Sequence, residues 1–147
     1  AAEGGAVLAA RDSDFIASMR AYGENLGIAF QLVDDALDYS GRQALMGKSV
    51  GDDFREAKMT LPIILSVARA DETARAFWQR VIETGNQTET DLHHAISLVE
   101  QTGSIQETMR RARAYADAAK DALAVLPASE IRTALSDIAD FCVERAY

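Results

Sequence analysis

Apolar residues recur along most of this chain at intervals of three and four, the spacing of one helix face, and strict alternation is nowhere sustained. Residues 1–10 read as the tail of a helix or the turn after one. Residues 13–39 predict one long helix, with Phe15, Met19, Tyr22, Leu26 and Phe30 along its apolar stripe. Residues 41–60 lose the periodicity, hold three glycines and two lysines, and predict a long loop with room for a short helical turn. Beyond the loop the punctuation is regular. Thr60-Leu61-Pro62 opens a helix with proline in its first turn. Asp71 opens another through Phe77, Trp78 and Val81, which Gly85 ends. Thr88 to Asp91 opens a third with Leu92, Ile96 and Val99 inward, and Gly103 stops it. Ser104-Ile105-Gln106-Glu107 has the form of a capping box and starts a helix carrying Ile105, Met109, Ala112, Ala116, Ala119 and Leu123. Pro127 breaks that helix, and Ser129 caps a last one with Ile131, Leu135, Ile138 and Phe141 on its stripe. The pattern predicts an all-α fold, a single helical domain over residues 1–147.

Composition agrees with that pattern. The 147 residues are 48% hydrophobic with only two prolines and nine glycines, enough apolar material for a real core of helices. The net charge of -8 leaves no basic stripe for nucleic acid. No run of about 18 apolar residues is present, so no membrane span is expected. The single cysteine, Cys142, fits a reducing compartment, hence the cytoplasm, and reads as a small core residue of the last helix. The first residues lack the basic and apolar regions of a signal peptide and begin in mid-pattern without methionine, as a piece of a longer protein would.

One stretch does not fit a plain structural helix. Residues 27–39 are apolar on most sides, which predicts burial on most sides, yet they carry Asp34, Asp35 and Asp38. On a 3.6-residue period Asp34 and Asp38 stack one turn apart and Asp35 lies about 100° round, so the three share a flank, with Gln31 one turn below. Like charges so placed repel, and in an apolar setting they also lose hydration, so the flank needs cations. Three carboxylates suit a hard, oxygen-loving ion, magnesium before calcium. Gly23 and Gly27, one turn apart inside the same helix, suggest close approach of another helix or a ligand. Elsewhere the chain looks structural. Adjacent His93 and His94 point to different faces and cannot form an i,i+4 metal pair, and Trp78 reads as a packing anchor.

The acids sit in a compound pattern. Phe30-Gln31-x-x-Asp34-Asp35-x-x-Asp38-Tyr39 is followed by Gly47-Lys48-x-x-Gly51-Asp52 and then by Lys58-x-Thr60-Leu61-Pro62. This resembles the second aspartate-rich region and following loop of the trans-polyprenyl diphosphate synthases. Arg20-Ala21-Tyr22-Gly23-x-x-Leu26-Gly27-x-Ala29 is similar to the family's approach to that motif, and Leu126-Pro127-x-Ser129-x-x-Arg132 with Val143-Glu144-Arg145 to its C-terminal end. Ala57 departs from the glycine the family usually shows before this lysine.

The resemblance implies an isoprenoid-synthase-type helical bundle and a magnesium-dependent prenyltransferase of isoprenoid biosynthesis. In such an enzyme an allylic diphosphate ionises, and isopentenyl diphosphate attacks the cation head to tail. By resemblance Asp34 ligates Mg2+, Asp35 and Asp38 support the cluster directly or through water, and Asp52 holds metal-bound water. Lys48 contacts the allylic diphosphate, Gln31 and Lys58 lie near the isopentenyl site, and Phe30 sits by the reacting carbons, where an aromatic face stabilises a cation. The resemblance also implies a homodimer for the full-length protein. The family's earlier aspartate-rich motif, its arginines and a lysine-threonine pair have no counterpart here, so the resemblance covers a C-terminal part and the piece alone is expected to be inactive. Two classes of function follow. One is the back half of a polyprenyl diphosphate synthase. The other is a non-catalytic binding or regulatory module of synthase ancestry that needs a partner chain.

Overall fold

The computed structural model describes residues 1–40, 51–85 and 87–145, and these are helical, with no strand among them. Helix α1 is Ala2–Leu8 and α2 is Ser13–Leu37. A short helix α3, Asp52–Arg55, is the helical turn expected in the loop. It is followed by α4 (Leu61–Arg69), α5 (Glu72–Thr84), α6 (Glu89–Gln101) and α7 (Ser104–Ala122). A 3-10 turn, Leu123–Val125, leads to α8, Glu130–Glu144.

The helix ends follow the sequence chemistry closely. Thr60 precedes α4 with Pro62 in its first turn, where a missing N–H costs nothing. Asp71 accepts from the Ala74 amide at 2.8 Å to cap α5, and Gly85 at φ 60° ends it. Thr88 and Asp91 form a reciprocal capping box at α6. Ser129 accepts from the Arg132 amide at 3.2 Å to cap α8. Two ends differ from expectation. The long helix stops at Leu37 rather than residue 39. Ser104 is already the first residue of α7 rather than the residue before it, and its buried hydroxyl meets Thr102 Oγ1 at 2.7 Å.

Packing divides the chain into two compact units, residues 1–33 with 110–147, and residues 34–109. In the first, Ala6 of α1, Met19 and Tyr22 of α2, and Ala119 and Leu123 form the core. The Tyr22 hydroxyl donates to the Leu135 carbonyl at 2.9 Å, and Lys120 bridges to Asp140 at 2.7 Å, so both tie α8 to its neighbours. In the second, Tyr39, Phe54, Ile63, Trp78, Val81, Leu92 and Val99 pack together around Trp78, which is 1% exposed. Trp78 is therefore the packing anchor expected of it, and Cys142 is buried.

Three expectations about faces are corrected. Along 27–39 only Ala29, Val33, Ala36, Tyr39 and the acids Asp35 and Asp38 are buried, while Gly27, Ile28, Phe30 and Gln31 are exposed, so the stretch is not buried on most sides. A Cβ added at Gly23 would lie 3.5 Å from Ala2 of α1, so a helix does come near there, whereas among the described residues nothing lies within 4 Å of one added at Gly27. On α8 the stripe of Ile131, Ile138 and Phe141 faces outward, and Ala139, Cys142 and Val143 face the core instead, with Leu135 half-buried. Small side chains allow a closer approach than large ones, and periodicity alone cannot say which of two adjacent apolar faces is covered.

Candidate functional site

The acidic residues occupy the C-terminal end of α2 and the residue after it. The Asp38 amide still bonds to the Asp34 carbonyl at 3.0 Å, so the helical stacking of Asp34 below Asp38 is kept. Their environments differ. Asp34 is partly open, whereas Asp35 and Asp38 are each only 7% exposed.

Asp38 is committed to a local task. One carboxylate oxygen accepts from the Asp52 amide at 3.2 Å and the other from the Asp53 amide at 3.0 Å. These are the first amides of α3, which have no partner within the helix itself. A carboxylate fourteen residues upstream thus caps the short helix, while the Gly51 amide donates to the Asp38 carbonyl at 2.9 Å. The closure requires glycine at 51. Its φ is 81°, and a Cβ there would lie 2.2 Å from Leu92 Cδ1. Burial pushes the Asp38 carboxyl above its ordinary value of 3.8, the Asp53 amide bond draws it down, and the nearby Asp53 and Asp52 charges add to the rise.

The other predicted residues are distributed around this latch. Asp52 is exposed and paired with Arg55 at 3.0 Å, and Arg55 also reaches Glu89 at 3.1 Å. Lys58 is exposed and holds Glu56 at 2.6 Å and Asp53 at 3.2 Å; Glu56 first and Asp53 second raise its pKa, keeping it cationic. Tyr39 is fully buried beside Asp38, and burial drives its phenol far up. One unit therefore brings Asp34, Asp35, Asp38, Asp52 and Lys58 together. Phe30 and Gln31 lie earlier on α2, in the other unit. The Phe30 ring carries the Arg145 guanidinium 4.1 Å from its centroid, and Arg145 also donates to the Phe30 carbonyl at 3.3 Å. Lys48 lies outside the described residues.

Sequence reasoning missed Asp53, Gly51 as a conformational requirement, and Arg145 against Phe30. The signal for the first two was present: a glycine followed by two acids opens a helix well. Nothing in the pattern pointed to the third contact. Among the described residues no group of three or more His, Cys, Asp or Glu is placed to hold a metal ion unaided.

The likenesses of the whole chain can be set against this geometry. Residues 1–99 match the profile of the polyprenyl synthetase family. The octaprenyl diphosphate synthase of Haemophilus influenzae is 38% identical over 130 residues, covering 88% of this chain and 39% of its own. Two crystal structures are each 48% identical with a TM-score of 0.90 and are matched over 99% of this chain. They are a decaprenyl diphosphate synthase from Rhodobacter capsulatus, covered over 45% of its length, and a polyprenyl synthase from Caulobacter crescentus CB15 complexed with calcium and isoprenyl diphosphate, covered over 44%. The chain spans about two fifths of the length of the curated relatives it matches, and it matches their C-terminal part. No described helix is long and apolar enough to cross a membrane. An all-α architecture, the ordered acid, lysine and Thr-Leu-Pro motifs, and a profile match over two thirds of the sequence lead to one assignment: the chain belongs to the polyprenyl synthetase family.

Proposed function

We propose that this chain is the C-terminal part of a magnesium-dependent polyprenyl diphosphate synthase, which joins isopentenyl diphosphate head to tail to an allylic diphosphate. The observation that carries the reading is the acidic end of α2 latched onto α3, with Lys58 a few residues further on, inside the region matched by the family profile. The relative from Caulobacter crescentus, crystallised with calcium and isoprenyl diphosphate, supports the choice of ligand class.

The donor set fits a share of a magnesium site. Carboxylate oxygens are the right donors, and Asp34 is accessible. Both Asp38 oxygens already accept amides, which leaves them a supporting part, directly or through water. Asp34 would hold the ion, with Asp35 and Asp38 behind it and Asp52 holding water; the remaining ligands come from water, diphosphate oxygens and acids outside this chain. Magnesium, when bound, neutralises the diphosphate and stabilises it as a leaving group. Lys48 and Lys58 bind phosphate oxygens as mobile point charges, Lys48 on the allylic diphosphate and Lys58 with Gln31 at the isopentenyl diphosphate. Phe30 offers a ring face to the passing allylic cation. Released diphosphate takes the final proton, so no side-chain base is assigned.

The test uses the complete protein, supplied with a farnesyl primer and labelled isopentenyl diphosphate. Incorporation that stops with a chelator and returns with Mg2+ is expected. No incorporation would instead favour a non-catalytic module of the same ancestry.

A further inference from the structure

Helix α3 is closed at both ends, and one residue takes part in both closures. At its start the Asp53 amide donates to one Asp38 carboxylate oxygen at 3.0 Å. At its end the Ala57 amide donates to the Phe54 carbonyl at 3.0 Å, and the Lys58 amide donates to the Asp53 carbonyl at 2.9 Å. That pair of bonds, with Ala57 left-handed at φ 54°, is a Schellman turn. Alanine carries a Cβ that the left-handed region disfavours, so the turn is held against a conformational cost that glycine would not meet. The turn folds Lys58 back beside α3, where its Nζ reaches Asp53 Oδ1 at 3.2 Å and Glu56 Oε2 at 2.6 Å.

The two carboxylates are unequal as anchors. The Asp53 side chain is 18% exposed and that of Glu56 60%. Asp53 is short, and its backbone is fixed by Asp38 on one side and by the turn on the other. Glu56 is longer and open to water, and an exposed pair between two long side chains loses in side-chain entropy much of what it gains in attraction. A partner that moves with the lysine cannot fix it, so the longer of the two contacts is the one that sets its place.

We infer that Asp53 is a positioning residue, which fixes the Lys58 ammonium relative to the acidic end of α2 and so sets where that cation meets a diphosphate. The identity of the diphosphate, though not the placement of Lys58, rests on the synthase reading. An ammonium on a flexible stem must be immobilised when it binds an anion, and holding it in place beforehand removes part of that cost. The effect therefore falls on substrate binding rather than on the chemical step.

Asp53→Asn is isosteric and keeps the amide that Asp38 holds, and Glu56→Gln removes the other charge in the same way. In the 147-residue chain, NMR relaxation of the Lys58 side-chain nitrogen should show order lost in Asp53→Asn and kept in Glu56→Gln. In the complete protein, Asp53→Asn should raise KM for isopentenyl diphosphate at least about fivefold with kcat within about twofold, and should add nothing to the loss in Lys58→Ala. Glu56→Gln should leave that KM unchanged. Equal loss of Lys58 order in both variants, or none in Asp53→Asn, overturns the inference. So does an Asp53→Asn variant with lower kcat, a higher Mg2+ requirement and unchanged KM, which would give Asp53 to the metal instead. Lys58 order that depends on Asp53, in a complete protein without prenyl transfer, keeps the positioning and removes the synthase reading. Turnover in which Asp53→Asn and Lys58→Ala lose independently does the reverse.

Discussion

Asp38 offers the sharpest test of how the acidic stretch works, because its two carboxylate oxygens hold the Asp52 and Asp53 amides at 3.2 and 3.0 Å. Asp38→Ala removes a side-chain cap of α3, a four-residue helix with no cap of its own at Gly51. Losing an N-cap costs about 0.5–2 kcal/mol. Against that stands relief of the charge repulsion from Asp34 one turn below, about 0.2–0.5 kcal/mol by analogy with exposed helix pairs. The cap is the larger effect, so Asp38→Ala should lose about 1 kcal/mol. Asp38→Asn keeps one carbonyl acceptor and sheds the buried charge, so it should lose less.

The assay is urea unfolding followed by Trp78, the single tryptophan, which is buried in the same unit as Asp38. Hydrogen exchange of the Asp52 and Asp53 amides supplies the local readout. The pH dependence has a definite sign. The folded carboxyl titrates above its ordinary 3.8 because burial outweighs the amide bonds, so the folded state holds its proton more tightly than the unfolded chain. Stability from this group is therefore complete below the unfolded pKa and is lost as pH rises through the folded one. Asn carries no such dependence, so Asp38→Asn should gain on the wild type as pH rises from below 4 toward neutrality. An unchanged urea midpoint in Asp38→Ala, with Asp52 and Asp53 amides exchanging as in the wild type, would refute the latch.

Asp34→Ala in the complete protein should lower turnover by orders of magnitude with under about 0.5 kcal/mol lost in unfolding, since it removes a repelling charge; near-normal turnover would sink the metal role of Asp34. The purified 147-residue chain alone should show no steady prenyl transfer from a farnesyl primer, because the earlier aspartate-rich motif of the resemblance has no counterpart in its sequence. Gly51→Ala should destabilise by about 1 kcal/mol or more, read by the Trp78 urea midpoint, since it combines a φ of 81° with a Cβ driven into Leu92. Lys58→Ala in the complete protein should raise KM for isopentenyl diphosphate more than it lowers kcat; the opposite split would place Lys58 away from that substrate.

What the sequence could convey depended on whether the deciding interaction was local. Caps at Asp71, Thr88 and Ser129 are written within four residues, because a side chain satisfies amides of its own first turn, and each was legible. The acids of 34–38 were legible as a flank for the same reason. Asp38 was legible as an acid but not as a cap, because its amides belong to a helix fourteen residues on and only the closure at Gly51 brings them within reach. The same distinction explains α8. Its periodicity announced a helix with apolar faces, but which face meets a core depends on segments far away in sequence, and Ile131, Ile138 and Phe141 turned outward while Ala139 and Cys142 turned in. Phe30 is another such case: it is half-exposed, with the Arg145 guanidinium stacked on its ring. A ring intended only for packing would sit among the alanines and valine of its own helix. Apolar periodicity cannot tell the Phe30 ring from a core ring, because the contact that holds it comes from Arg145, 115 residues further on.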